Sequence, residues 1–444
     1  MNNEALFSPW DTRYRNDLPF SLSEEAILES QVEVEKAWLK TLMDQKICPE
    51  MSSRDLDTAW LGLGAAEIDA IEKKTQHATR ALVEALANRL IKAGRADVAH
   101  WVHVGITSFD TVDTAQRLRL RKFMTEDYLP GLKSLREELK RWSLLHKNTP
   151  QVGRTHGQWA VPSYFALNFA EALHRIEKIE KRVLADLDGL CGQASGAVGA
   201  YQGIAVLVED PIELEKKFLK TLNLRSNFGA TQILPPEDIL FLANDLLAIS
   251  SVISKVAEDM RHLARSEISE VAEGLAPGQV GSSTMPQKRN PWNLEHVCSL
   301  YKILLSRIQL IEADLISEHQ RDLTNSASGR FYIEFFLVAF LMQKRLKKVL
   351  ERMEAFPDSM KKHLDSAGSS VMAESIYIWL TKNGVSDAHS MVREASRRAE
   401  KSGKTLIQEI QSIDAKYSGL NLKEISEQVF RGPELKLKRI LGEG

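Results

Sequence analysis

Gly278-Gln279-Val280-Gly281-Ser282-Ser283-Thr284-Met285-Pro286-Gln287-Lys288-Arg289-Asn290-Pro291 is the stretch on which the reading of the chain turns. Apolar-periodic, helix-like sequence lies on both sides of it, and here the periodicity stops. Gly278, Gly281, Pro286 and Pro291 exclude a continuous helix and demand a shaped loop. Ser282 and Ser283 place adjacent hydroxyls at its centre. Lys288, Arg289 and Asn290 follow, all able to donate hydrogen bonds to an anion. Composition alone leaves a surface connection and a functional loop equally open.

The sequence around the loop is helical. Ser23 is placed to cap a helix whose first turn holds Glu24 and Glu25. Helix-like segments run on to about Gly94, and an irregular patch follows from His100 to Thr107. Leu242, Leu246, Ile249, Ile253, Val256, Met260 and Leu263 recur at alternating steps of four and three. Phe165, Phe169, Ala172, Ile176, Ile179, Val183 and Leu187 nearly do the same, as do Val297, Leu300, Leu304, Ile308, Ile311 and Leu315. Such spacing lays an apolar seam along each helix, and all these residues are expected in the core. Several long seamed helices predict an all-α bundle. Beyond Pro357 the pattern shifts to shorter amphipathic helices, interrupted near Gly384 and Gly403. The expected division is an N-terminal helical domain (1–104), a central long-helix domain (105–350) and a C-terminal helical domain (351–444).

Bulk properties narrow the function. The 444 residues carry 58 Lys and Arg against 60 Asp and Glu, a net charge of −2, which argues against a nucleic-acid protein built on a large basic field. Cys48, Cys191 and Cys298 are far apart, without metal spacing or a disulfide framework. The Met1-Asn2-Asn3-Glu4-Ala5-Leu6-Phe7 start lacks the features of a signal peptide, and the most apolar run, Phe335 to Leu341, is too short to span a bilayer. A cytoplasmic protein with no membrane partner, no metal and no cofactor is expected.

Gly-Ser-Ser-x-Met-Pro-x-Lys-x-Asn-Pro, unbroken from Gly281 to Pro291, resembles the signature of the fumarase/aspartase superfamily, which includes adenylosuccinate and argininosuccinate lyases. The resemblance implies β-elimination of fumarate, with Ser282 as the base and Ser283, Lys288 and Asn290 on the substrate. A serine hydroxyl is a poor base, so its alkoxide needs nearby donors and positive charge. The resemblance also implies a homotetramer whose central helices form one bundle, each active site drawing on three subunits.

Four further segments point to the adenylosuccinate lyase branch. Gly153-Arg154-Thr155-His156-Gly157-Gln158 places a histidine in a glycine-flanked loop; by resemblance His156 is the general acid that protonates the leaving nitrogen, with Thr155 beside it on the substrate. Carboxymuconate cycloisomerases of the superfamily lack this histidine. In His103-Val104-Gly105-Ile106-Thr107-Ser108-Phe109-Asp110, Thr107 and Ser108 resemble a carboxylate-binding pair and His103 a histidine near the substrate. The Thr-Ser-x-Asp order is equally a helix cap, and both readings can hold together. Arg321, Ser326 and Arg330 resemble a nucleotide-phosphate segment, which argininosuccinate lyase lacks, and Arg13-Tyr14 resembles a nucleotide contact. His77 and Gln232 match substrate-binding positions.

The chain departs from the pattern at four places. Phe109 stands where a small or polar residue is usual, and Ala78, after His77, where the Asp of a His-Asp pair is usual. Gln287 is commoner in argininosuccinate lyase, and Leu234-Pro235-Pro236-Glu237-Asp238 lacks an arginine found in some relatives. The expected function is cleavage of adenylosuccinate to fumarate and AMP, and of succinyl-aminoimidazole-carboxamide ribotide to fumarate and its amine. The alternatives are argininosuccinate lyase, another fumarate-releasing lyase, or a non-catalytic helical scaffold.

Overall fold

The computed structural model describes residues 8–275, 278, 281–414, 417 and 419–443; Gln279 and Val280 of the opening stretch lie outside the described residues. Nearly all regular structure is helical, and the strands form only two-stranded sheets among the described residues. The expected all-α class holds.

Local chemistry accounts for the helices. Ser23 caps helix Glu24–Asp44, its Oγ accepting the Ala26 N–H at 3.2 Å, and Glu24 and Glu25 face the positive end of the helix dipole. The seam of helix Glu237–Leu263 is buried along its whole length, from Leu242 to Leu263. The other two seams are buried except at one residue each. Ile179 is half-buried. Leu315 is 38% exposed, because helix Trp292–Ala313 ends before the repeat reaches it. Among the described residues, helix Glu237–Leu263 is long and apolar enough to cross a membrane by length and composition, yet 56% of its most apolar stretch is buried in the protein.

The chain gathers into two compact units. The first comprises Met1–Leu132, Ile179–Ala248 and Leu300–Leu341; the second comprises Lys133–Lys178, Ile249–Ser299 and Met342–Gly444. In the first, helix Glu24–Asp44 packs against helix Ser108–Lys122. Trp38 is fully buried there, and its Nε1 donates to the Val104 carbonyl at 2.8 Å, fixing the irregular patch ahead of Ser108. Arg117, 2% exposed, pairs with Asp238 at 3.1 Å and donates to the Pro235 carbonyl, also at 3.1 Å. That pair anchors the proline-containing segment.

In the second unit, strands Pro150–Thr155 and Gln158–Tyr164 form an antiparallel hairpin. Helix Pro357–Ala367 packs on its first strand and helix Leu422–Leu441 on its second. Helices Ala373–Lys382, Ala388–Ser402 and Leu406–Ile413 enclose a hydrophobic core that includes Ile376, Leu380, Val392 and Ile410.

Candidate active site

His156 sits at the tip of the hairpin. The two-residue turn is His156-Gly157, with φ of +54° and +77°, between the paired residues Thr155 and Gln158. Two successive positive φ values match the twist of the flanking strands, which is why such a turn suits a hairpin. The sequence suggested a loop; the structure places Thr155 at a strand end and lifts His156 into solvent. The first strand of the hairpin is held by Glu270, at Gln151 near its open end and at Arg154 beside the turn. That carboxylate is fully buried and accepts from Gln151 Nε2 at 2.6 Å, from Arg154 Nη2 at 2.7 Å and Nη1 at 3.1 Å, and from His363 Nδ1 at 2.7 Å. Burial alone would raise its pKa, but the hydrogen bonds from Arg154, Gln151 and His363 outweigh burial and hold it below the ordinary carboxylate range.

The signature loop belongs to the same unit. Ser282 Oγ accepts the Met285 N–H at 3.2 Å and the Thr284 N–H at 3.5 Å. Two amides aimed at this oxygen favour a negative charge on it. Asn290 Nδ2 donates to the Gly281 carbonyl at 3.2 Å and so closes the loop on itself. Gly281 is required for this closure, since a Cβ there would collide with the Lys288 carbonyl. Ser283 and Lys288 are exposed. The loop is also tied where it meets helix Trp292–Ala313. The buried Glu273 carboxylate accepts the N–H groups of Asn293 and Leu294 at that helix's N-terminus. Asn293 is further held by Arg345 Nη1 at 2.8 Å.

In the first unit, Thr107 and Ser108 open helix Ser108–Lys122. Asp110 accepts the Thr107 N–H at 2.8 Å and also those of Ser195 and Gly196, at 2.9 and 3.1 Å. The helix-cap reading therefore holds. His103 Nδ1 lies 2.7 Å from the buried Glu35 carboxylate, which also accepts Thr111 Oγ1 at 2.6 Å. Burial disfavours the charged ring, but the hydrogen bond and charge of Glu35, with Asp110 beyond, raise the His103 pKa above its ordinary value. A positively charged imidazole beside a helix N-terminus suits a carboxylate. Gln232 is oriented by its own amide, Nε2 donating to the Ala197 carbonyl at 3.0 Å.

A cleft of about 690 Å³ in this unit is lined by Arg321, Ser326 and Arg330, together with Phe109, Asp113, Asp314 and Tyr332. Its wall includes Ala78, Phe109 and Ile233, the residues immediately after His77, Ser108 and Gln232. The side chains of Arg321, Ser326 and Arg330 have no hydrogen-bond partner among the described residues. Asp322, next to Arg321, is engaged in its own turn by the Glu318 and Thr324 N–H groups.

Arg13, Tyr14 and His77 are not among the residues that line this cleft. Arg13 is exposed, and Tyr14 packs on Trp10 with ring centroids 5.4 Å apart. His77 caps helix Ala78–Lys92, its Nδ1 accepting the Arg80 N–H at 3.2 Å, which leaves Nε2 as the ring's donor.

The cleft also holds residues that the sequence reading passed over. Asp113 is half-buried, and desolvation raises its pKa against the pull of Arg117 and of the Leu234 N–H. Tyr332 and Ser328 both donate to Asp314, at 2.7 and 2.6 Å. Among the described residues no group of three or more His, Cys, Asp or Glu side chains could hold a metal ion.

Comparison with known proteins fixes the relationship. Residues 36–303 match the "Lyase" family model and residues 317–429 the "Adenylosuccinate lyase C-terminal" model. The adenylosuccinate lyase of Pyrococcus abyssi is 33% identical over 409 residues, covering 90% of this chain and 88% of that one. That of Helicobacter pylori strain 26695 is 32% identical, covering 86% and 85%. The chain belongs to the adenylosuccinate lyase family. The fold extends wider. A fumarate lyase from Mesorhizobium sp. BNC1 superposes with a TM-score of 0.82 at 21% identity, over 97% of both chains. A 3-carboxy-cis,cis-muconate lactonizing enzyme from Pseudomonas putida gives 0.81 at 22%, over 95% of both. At those identities the likeness speaks for the fold alone. It is the adenylosuccinate lyase relatives that place the chain in its branch.

Proposed function

We infer that this chain is a fumarate-releasing C–N lyase acting on adenylosuccinate, with AMP as the other product, and on succinyl-aminoimidazole-carboxamide ribotide in purine nucleotide biosynthesis. Membership of the adenylosuccinate lyase family supports the reaction class. The observation that carries the substrate is the meeting of Arg321, Ser326 and Arg330 on one cleft with their donors unengaged. Two guanidinium forks and a hydroxyl suit a nucleotide phosphate.

In this reading Ser282 removes the proton β to the leaving nitrogen. The Thr284 and Met285 amides support the developing alkoxide, and Lys288, Asn290 and Ser283 face the substrate. His156 protonates the departing nitrogen, with Thr155 at its side. The succinyl carboxylates rest on Thr107, Ser108 and His103, where the helix N-terminus and the raised imidazole pKa favour an anion. His77 and Gln232 complete the substrate contacts, and Arg13 and Tyr14 reach the nucleotide. Base and acid need opposite starting protonation states, which only their surroundings can set.

The site is assembled in a homotetramer, each active site drawing on several copies of the chain. Exposed Phe241 on helix Glu237–Leu263 and exposed Ile303 and Leu305 on helix Trp292–Ala313 are large apolar side chains that a second copy would cover. The segments 1–104, 105–350 and 351–444 act as its three helical domains, in the cytoplasm. The test is fumarate release from adenylosuccinate and from argininosuccinate, side by side. Release from adenylosuccinate alone is expected. Release from argininosuccinate alone, which Gln287 would favour, would overturn the substrate assignment.

A further inference from the structure

Phe109 is the residue that departs from the family pattern, and the structure gives it a neighbour. Arg321 Cζ lies over the face of the Phe109 ring, 3.4 Å from its centre. Phe109 stands in the first turn of helix Ser108–Lys122, and both side chains line the cleft. Burial lowers the Arg321 pKa, and the carboxylates of half-buried Asp113, one helical turn beyond Phe109, and of Asp322 oppose that shift. The carboxylate of Asp322, beside Arg321 in sequence, accepts instead from Glu318 and Thr324.

The geometry has a chemical consequence. A cation–π contact uses the face of the guanidinium and leaves its edge, where all five N–H donors lie, open. An arginine free in solvent loses much rotamer freedom when it clamps a phosphate; one already held on a ring loses less. A small or polar residue at position 109 has no face to offer. We propose that Phe109 is a positioning residue that holds the Arg321 guanidinium face-on, so that its N–H edge meets the substrate's phosphate. This rests on the reading that Arg321 binds a nucleotide phosphate.

The experiment compares wild type, Phe109→Leu, Phe109→Tyr and Arg321→Ala on adenylosuccinate and on its dephosphorylated nucleoside. AMP and adenosine affinities, measured by calorimetry, supply the same comparison without turnover. Phe109→Leu should raise KM for adenylosuccinate and weaken AMP by about three- to tenfold, the range of a partly desolvated cation–π contact. Turnover should stay within about twofold, since the phosphate is remote from the breaking bond. Phe109→Tyr should restore wild-type behaviour, because it keeps the ring face. Neither variant should change the dephosphorylated compounds, and Phe109→Leu should add nothing to Arg321→Ala. If Arg321→Ala leaves the preference for the phosphate intact, the phosphate reading fails and this inference with it. If Arg321→Ala abolishes the preference while Phe109→Leu does not change it, or weakens phosphorylated and dephosphorylated ligands alike, the inference alone is overturned.

Discussion

Glu270 receives both terminal nitrogens of Arg154, at 2.7 and 3.1 Å, beside the turn of the hairpin that carries His156. The same carboxylate begins the stretch that leads through Val271 and Ala272 into the signature loop. Those two residues pair with Ala355 and Glu354. One buried charge thus ties the hairpin that carries His156 to the stretch that leads to Ser282.

Replacing that charge should be costly. Glu270→Gln leaves Arg154 facing a neutral amide, and breaking a buried pair from one side costs about 3–5 kcal/mol. The Glu270 pKa is depressed in the folded chain, so its stabilisation is fully present above the unfolded carboxylate value, about 4.3. It is lost as pH falls through the lower folded value. Chemical denaturation should therefore show a large stability gap between wild type and Glu270→Gln at pH 7 that narrows below about pH 4. A gap that stays constant into acid would remove Glu270 from this role.

Arg330→Ala should act on binding. Its guanidinium is exposed at the cleft wall and unengaged, so its loss leaves the fold intact. Charge-assisted hydrogen bonds contribute about 1.5–3 kcal/mol, so KM for adenylosuccinate should rise at least about tenfold, with a smaller fall in kcat. Steady-state kinetics on the dephosphorylated substrate is the control. An equal loss there would mean that Arg330 contacts another part of the substrate.

The helices were legible because their signal is local. Ser23 caps where capping chemistry placed it, and a period near 3.6 marked Leu242 to Leu263 as one buried stripe. The hairpin was not. Its turn is His156-Gly157 rather than an asparagine–glycine pair, and its strands carry Gln151 and Arg154, whose burial depends on Glu270 more than a hundred residues away. The same holds for the cleft. Arg321, Ser326 and Arg330 stood out by their order in the chain. Asp113 and Arg117 did not, because Arg117 meets its partner Asp238 only after folding. Leu315 was misplaced in the core because a periodic pattern does not announce where its helix stops.

The shared site can be tested by mixing. If His156 and Ser282 of one active site come from different copies of the chain, His156→Ala and Ser282→Ala are each inactive alone. Random co-assembly places intact copies of both residues at some sites, which need only be positioned together. Activity should return when the two variants are unfolded, mixed and refolded, and not when either is treated alone. Inactive mixtures, with mixed tetramers verified by mass spectrometry, would mean that both residues come from one chain.

The division of labour between Ser282 and His156 is open to one measurement, proton NMR of adenylosuccinate in D₂O with wild type, His156→Gln and Ser282→Ala. Wild type should produce fumarate and AMP. His156→Gln should release fumarate at least about a hundredfold more slowly, the usual scale for a general acid, yet still exchange deuterium into the succinyl carbon from which Ser282 takes its proton. Ser282→Ala should do neither. Deuterium exchange that persists in Ser282→Ala would contradict the assignment of Ser282 as the base.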